Sequence, residues 1–368
     1  MDENYICKMK KDRILFLVPG QEAKGGVSNY YRTIQSHFVL NIIYFQRGAR
    51  NWPNRKNAIS EAARTLSDWI WFLFKLIFEN YKLVQTSTSL GKFSVIRDSV
   101  FLYISRLLGK KTVVFYHGWN YEYKKELEAN NFGFFKKTFL KADTSIVLSS
   151  EFGKELLAWG YKNPIYTETT VVEESLVADI SGLVCRNSEK ITFLFLSRVE
   201  KAKGIYEALD GYALLKKKYQ NSKLIVAGDG FELENAKLYV KKNNIVNVDF
   251  RGFITGKAKQ SALLESDILI FPSYSEGMPI SVLEAMAFGL TILATKVGGL
   301  RDILADEKTG FFINEKDHVD IYEKASVVID NFSMRAYIFK YNRDLAAQKF
   351  YAKSVAHRLE KIFSALLK

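Results

Sequence analysis

The amino-acid sequence predicts an α/β protein of two doubly wound domains in tandem, and three observations carry that expectation. Short apolar runs alternate with amphipathic segments along the chain, the pattern of parallel sheets covered by helices. The alternation lapses in the polar stretch around Asp179 to Ser188 and then restarts. The length, 368 residues, gives about two domains at roughly 150 residues each. In the first half the strand-like runs are Ile14–Val18, Leu40–Phe45, Leu83–Thr86, Thr112–Tyr116 and Thr144–Leu148. In the second they are Thr192–Leu196, Leu224–Ala227, Val248–Phe250, Ile268–Phe271 and Thr291–Ala294. Helices are expected over Tyr206–Lys218, Glu232–Asn243, Ala258–Leu264 and Ile280–Phe288 between them. A closing helix over Leu345–Leu367 follows from the spacing of Leu345, Val355, Leu359, Ile362, Phe363 and Leu366. The expected division is residues 1–182, 183–345 and a terminal helix over 346–368.

Composition narrows the class. With 48% hydrophobic and 25% charged residues the chain is not a disordered one. Two cysteines, Cys7 and Cys185, cannot build a disulfide framework and lack metal-ligand spacing, which suggests a reducing compartment. The first residues lack a signal-peptide core, and no apolar run reaches the ~20 residues of a membrane span, so a cytoplasmic location is expected. The net charge of +13 is unevenly placed: residues 1–111 hold 18 Lys and Arg against 8 Asp and Glu. Arg32, Arg47, Arg50, Arg55 and Lys56 fall between Glu22 and Glu61, where no acidic residue stands. Such asymmetry points to an anionic partner, with a solvated basic face as the plainer reading. Beside it lies Leu66–Phe78, LSDWIWFLFKLIF, apolar nearly all round. It reads either as a core helix or as an aromatic helix docked at an anionic membrane surface.

The segment Ile268–Gly289, ILIFPSYSEGMPISVLEAMAFG, carries the most chemistry. A strand ends at Pro272, a loop holds Glu276-Gly277-Met278, and Pro279 sits where a helix begins. The glycine lets a ligand approach the backbone, and the amides of a helix start attract phosphate. Glu284 follows in the helix, so two carboxylates flank that place, suited to the hydroxyls of a sugar or ribose; two exposed glutamates on an ordinary helix are the alternative. Gly25-Gly26 after the first strand could offer amides to phosphates or simply turn the chain. His117-Gly118 ends a strand and faces the same kind of crevice, unless the histidine is structural. Gly228-Asp229-Gly230 imitates part of a dinucleotide fingerprint, but Leu233 stands where its third glycine belongs.

The spacing from Glu276 to Glu284 within EGMPISVLEAMAFG resembles the signature of retaining GT-B glycosyltransferases of the glycosyltransferase family 4 type. FLSRVEKAKG, LIVAGDG, VDFRGFI and VGG follow the family's order from Phe195 to about Gly310, while GGVSNYYR and the His117-Gly118 pair resemble it weakly. Leu290 and Asp302 depart from the usual proline and glutamate. The resemblance implies two Rossmann-like domains facing across a cleft, the first for acceptor and the second for donor, with the last helix packing back toward the first. It implies catalytic roles for Arg198, Lys203, Glu276 and His117. Donor contacts would come from Gly25, Gly26, Gly228, Phe253, Ile254, Gly277, Met278, Pro279, Ile280 and Glu284, with Glu284 on the ribose and Arg198 and Lys203 on the diphosphate.

The leading expectation is thus a retaining, metal-independent enzyme. It would move a sugar from a nucleotide-sugar, UDP-linked by preference, to a saccharide acceptor on a lipid, in surface polysaccharide synthesis at the inner face of the membrane. No cofactor is expected, since the donor is a substrate, and no Asp-X-Asp motif or histidine pair offers a metal site. A non-catalytic GT-B partner subunit is the alternative. Nucleic-acid binding has no helix-turn-helix, zinc or RNP-like motif behind it.

Overall fold

The computed structural model describes residues 12–20, 25–48, 58–130, 132–188 and 190–368. Cys7, Arg50, Arg55 and Lys56 lie outside them. The chain divides into two units, Met1–Val171 with Ala352–Lys368, and Val172–Tyr351.

The first unit is built on six parallel strands: β1 (Arg13–Val18), β2 (Ile42–Gln46), β3 (Tyr81–Leu90), β4 (Lys111–Trp119), β5 (Thr144–Val147) and β6 (Ile165–Thr167), in the order β2-β1-β3-β4-β5-β6. Ile14 to Val18 are buried throughout, as a strand covered on both faces requires. Three helices lie side by side on one face: α1 (Gly26–Ile34) is elsewhere, while α2 (Ala58–Phe78), α3 (Lys92–Leu107) and, after α4 (Tyr121–Ala129), α5 (Gly133–Thr138) are linked through α3. Phe72 of α2 meets Phe101 of α3 edge-on at 4.9 Å, and both pack on Leu15, Leu17 and Val84. The core reading of Leu66–Phe78 therefore holds for one face of the helix only, and the other face is left exposed. Phe72 and Leu76 are core, whereas Leu66, Ile70, Trp71, Phe74, Ile77 and Phe78 are exposed, Trp71 by 68%. α6 (Ser150–Ala158) completes the first stretch, its start capped by the Ser149 hydroxyl.

The second unit opens with the single turn α7 (Glu174–Val177) and also holds six parallel strands. In chain order these are β7 (Thr192–Leu196), β8 (Lys223–Ala227), β9 (Val248–Gly252), β10 (Ile268–Phe271), β11 (Thr291–Thr295) and β12 (Gly310–Ile313). The helices between and after them are α8 (Ile205–Lys218), α9 (Leu233–Lys242), α10 (Gly256–Glu265), α11 (Ile280–Ala287), α12 (Leu300–Ile303), α13 (His318–Asp330) and α14 (Phe332–Lys349). The sheet order is β12-β11-β10-β7-β8-β9, the Rossmann arrangement, whose direction of winding reverses between β7 and β10. The crevice beyond the C-terminal ends of those two strands is where such a sheet takes its ligand.

Two expectations need adjusting. The junction falls at Val171/Val172 and not at 182/183, because the segment after it is held by the second unit. Gln260 donates to the Leu176 carbonyl, and Arg343 to those of Ile180 and Leu183. The helix expected over Leu345–Leu367 is two: α14 ends at Lys349 and α15 (Ala352–Leu366) begins after Tyr351. The break lies where Tyr351 bridges Val172 and the Phe350 carbonyl takes the Val172 amide. α15 belongs to the first unit, where Phe363 packs on Phe16, Arg358 pairs with Glu168 at 2.7 Å, and Glu360 accepts the amides of Val39 and Leu40.

Candidate active site

In the second unit the loops after β7, β8, β10 and β11 close on one another. The loop after β7 runs through a 3-10 turn at Lys201–Lys203, and its Ala202 carbonyl takes the amide of Tyr274 from the loop after β10. Two glycines make this closure possible. A Cβ on Gly228 would run into the Ser197 carbonyl, and one on Gly298 into the carbonyls of Glu276 and Gly277. Gly299 then donates its amide to Gly277 at 2.6 Å. The Gly228-Asp229-Gly230 element thus has a structural use, loop against loop, whether or not a ligand also reaches it.

This closure sets Lys203 on Glu276. The ammonium Nζ lies 2.6 Å from Glu276 Oε1 and 3.4 Å from the Ser275 carbonyl, while Ser273 Oγ donates to the same carboxylate oxygen at 2.8 Å. Both charged side chains are largely buried, 13% and 14% exposed, so the pair is shielded from bulk water. Immediately after come Gly277, Met278 and Pro279, and α11 starts at Ile280 with no side chain capping it. Its first amides and its dipole put partial positive charge beside the lysine. The arrangement is a small cationic mouth with one acceptor carboxylate.

Glu284 sits one turn into α11, buried, and takes a charge-assisted bond from Lys259 of α10. Burial pushes its carboxyl above the ordinary glutamate range, and Lys259 works against that shift. Lys259 and Ser273 are partners that sequence reasoning missed; no spacing marks Lys259, which meets Glu284 only in the fold, whereas Ser273 stands three residues before Glu276 in the same loop. Arg198 is 67% exposed and turned onto Glu200 Oε1 at 2.6 Å, so the structure does not join it to the Lys203–Glu276 pair. Phe253 stands exposed after β9 with Ile254 half-buried beside it. Among the described residues no group of three His, Cys, Asp or Glu could hold a metal ion.

In the first unit the corresponding strand ends are uncharged. The C-terminal half of β3, Gln85 to Thr88, is buried although it is polar. Gln85 donates to the Tyr31 hydroxyl at 2.8 Å, that hydroxyl bonds Ser87 Oγ, and His117 Nε2 lies 3.2 Å from it. Phe115 stacks on the imidazole at 4.0 Å. Burial, aided by the nearby Arg47 guanidinium, pushes His117 down to about 3, so at neutral pH it is an uncharged hydrogen-bonding group. Gly25 and Gly26 lead into α1, which carries Tyr31. Arg47 overturns an expectation: it is buried, paired with Asp98 at 3.1 Å and bonded to the Ser87 carbonyl, so it faces no outside partner.

Residues 184–345 match the family described as glycosyl transferases group 1. The second unit carries a glycosyl transferases group 1 domain. The capsular polysaccharide biosynthesis glycosyltransferase CapM of Staphylococcus aureus is 25% identical over 231 residues, which is 60% of this chain and 59% of CapM. The chain thus matches about three fifths of that relative's length. Two solved structures share the fold over nearly the full chain. Sucrose-phosphate synthase from Thermosynechococcus elongatus has a TM-score of 0.73 at 18% identity, covering 97% of this chain and 99% of that one. Anabaena HepE, in complex with UDP and glucose, has a TM-score of 0.67 at 15% identity, covering 96% and 100%. With two Rossmann-like units in one chain, the architecture is GT-B. The group 1 domain begins just before β7 and ends within α14, so it contains Lys203, Glu276, Lys259 and Glu284 together.

Proposed function

We propose that this protein is a retaining, metal-independent glycosyltransferase that moves a sugar from a UDP-sugar to a saccharide acceptor carried on a lipid, at the cytoplasmic face of a membrane. The observation that carries the reading is the Lys203–Glu276 pair at 2.6 Å beside the start of α11. Cleaving a nucleotide-sugar leaves a diphosphate whose charge grows in the transition state, and preorganised cations and helix amides stabilise such charge without a metal. A diphosphate entering there draws the ammonium of Lys203 to itself, which frees Glu276 to accept from hydroxyls of the transferred sugar. Glu284, kept in place by Lys259, is positioned one turn deeper for the nucleotide ribose. Arg198, on a mobile-length side chain at the rim, adds a second cation to the diphosphate once it leaves Glu200. The UDP and glucose bound by Anabaena HepE support the choice of base.

The test is a stability panel with UDP, GDP, ADP and dTDP, followed by turnover with the matching sugars. UDP at a hundred times its dissociation constant should raise unfolding stability by about 2.7 kcal/mol. A chain that none of the four stabilises and that transfers no sugar would leave the non-catalytic reading in its place.

A further inference from the structure

We infer that the outward faces of α2 and α3, with a basic cluster at one end, form one surface that docks on an anionic lipid bilayer. The proposal deepens the reading of a transferase that meets its acceptor at a membrane. On α2 the outward stripe is Leu66, Ile70, Phe74 and Ile77, with Trp71 and Phe78 beside it, all exposed. On α3 it is Phe93, Ile96, Tyr103 and Leu107, again at helical spacing and again exposed, Phe93 by 88%. The helices are neighbours: Phe72 and Phe101 meet beneath them and Trp69 Nε1 donates to the Arg97 carbonyl at 3.2 Å. Large apolar side chains gathered on two adjacent helices mark a surface that something covers.

The charges say what covers it. α5 continues the surface, since Phe134 lies 5.7 Å from Tyr103 and Arg106 donates to the Lys137 carbonyl. There Arg106, Lys136, Lys137 and Lys141 are all exposed around Leu107 and Phe134. The carboxylates of α2 and α3 do not oppose them: Asp68 and Asp98 are buried, and Glu61 pairs with Arg64. A second copy docking patch to patch would offer the basic cluster no acid from α2 or α3, since those carboxylates are buried or paired. An anionic leaflet complements both parts at once, phosphates for the cations and the headgroup–acyl boundary for the aromatic side chains.

The test uses the intact protein and flotation with vesicles of equimolar phosphatidylcholine and phosphatidylglycerol, against phosphatidylcholine alone, at low ionic strength. We expect binding to the anionic vesicles, weakened by salt, with a blue shift of tryptophan emission that Trp71→Phe largely removes. Replacing Arg106, Lys136, Lys137 and Lys141 together by Gln should lower vesicle affinity by about a hundredfold or more. Replacing Phe93, Ile96 and Leu107 by Ser should lower it at least about tenfold. Each variant is to keep its stabilisation by UDP, which shows that it is folded. Absence of flotation on either vesicle overturns the proposal, as does flotation of the four-charge variant like the parent, or capture of the patch by self-association or an acidic protein in preference to vesicles. Sugar transfer to a free saccharide by a protein that ignores vesicles would sink this surface and leave the transferase reading intact.

Discussion

At the strand ends of the second unit stand Lys203 with Glu276 and Lys259 with Glu284 around the start of α11; at those of the first stand Tyr31, Gln85, Ser87 and His117, none of them charged at neutral pH beyond the enclosed Arg47–Asp98 pair. Both sit on six-stranded parallel sheets with helices on the faces, so architecture does not account for the contrast. The side chains do. Paired charges that can be drawn apart by an incoming anion suit a diphosphate, whereas hydroxyl, amide and neutral imidazole groups suit a polyol that carries no charge. On the proposed function, that difference in charge would divide donor from acceptor.

The largest expected effect is on the charged side. Lys203→Ala should cut kcat/KM by about two to three orders of magnitude, the equivalent of about 3–4 kcal/mol of transition-state stabilisation, and should lower unfolding stability by about 1–3 kcal/mol because Glu276 loses its largely buried partner. Full activity in steady-state assays of this variant would erase the contrast. Next comes Glu284→Ala, which leaves the Lys259 ammonium without its buried partner. It should lower unfolding stability in urea by about 2–3 kcal/mol and weaken UDP binding with it; replacement by Gln, which keeps an acceptor oxygen, should cost less.

The uncharged side is probed by acid. His117 has a folded value near 3 against about 6.5 unfolded, so the folded state favours the neutral ring. Stability from this group is full above pH 6.5 and is lost as pH falls, by about 2 kcal/mol between pH 6.5 and 5. His117→Gln should flatten that part of the stability–pH curve, measured by denaturant melts. An unchanged slope would mean that the imidazole is solvated and the first site less enclosed than its packing indicates. The smallest effect expected is from chelation: on the proposed function cations of the chain itself serve the diphosphate, so excess EDTA should leave turnover unaltered.

How much of this was legible in the sequence also separates the units. Glu276, Gly277, Pro279 and Glu284 are contiguous, so a strand, a loop and a helix start could be seen to converge before any fold was known. Lys203 needed the family resemblance, since EKAK reads as an ordinary surface loop until β7 and β10 are made neighbours. Lys259 and the Tyr31–Gln85–Ser87 network were not legible, because residues on separate elements meet only through sheet order. Strands with runs of Ile, Leu, Val and Phe were found within a residue or two, except that β3 runs on from Thr86 to Leu90 and β4 from Tyr116 to Trp119; β6 and β12 were missed, one a three-residue edge and the other opening on glycine. Leu66–Phe78 was ambiguous for a physical reason. Large apolar side chains stand on both sides of the helix, so their presence does not say which side is inside, and here one side packs while the other does not.

The return of α15 bears on how the chain comes together during synthesis. The group 1 unit is one continuous stretch, Val172–Tyr351, and can close as soon as it has left the ribosome. The unit begun earlier cannot: Phe16 lacks Phe363, Glu168 lacks Arg358, and the amides of Val39 and Leu40 lack Glu360 until residues 352–368 have been made. For this protein the usual vectorial sequence is inverted, and the domain whose translation starts first is the one completed last.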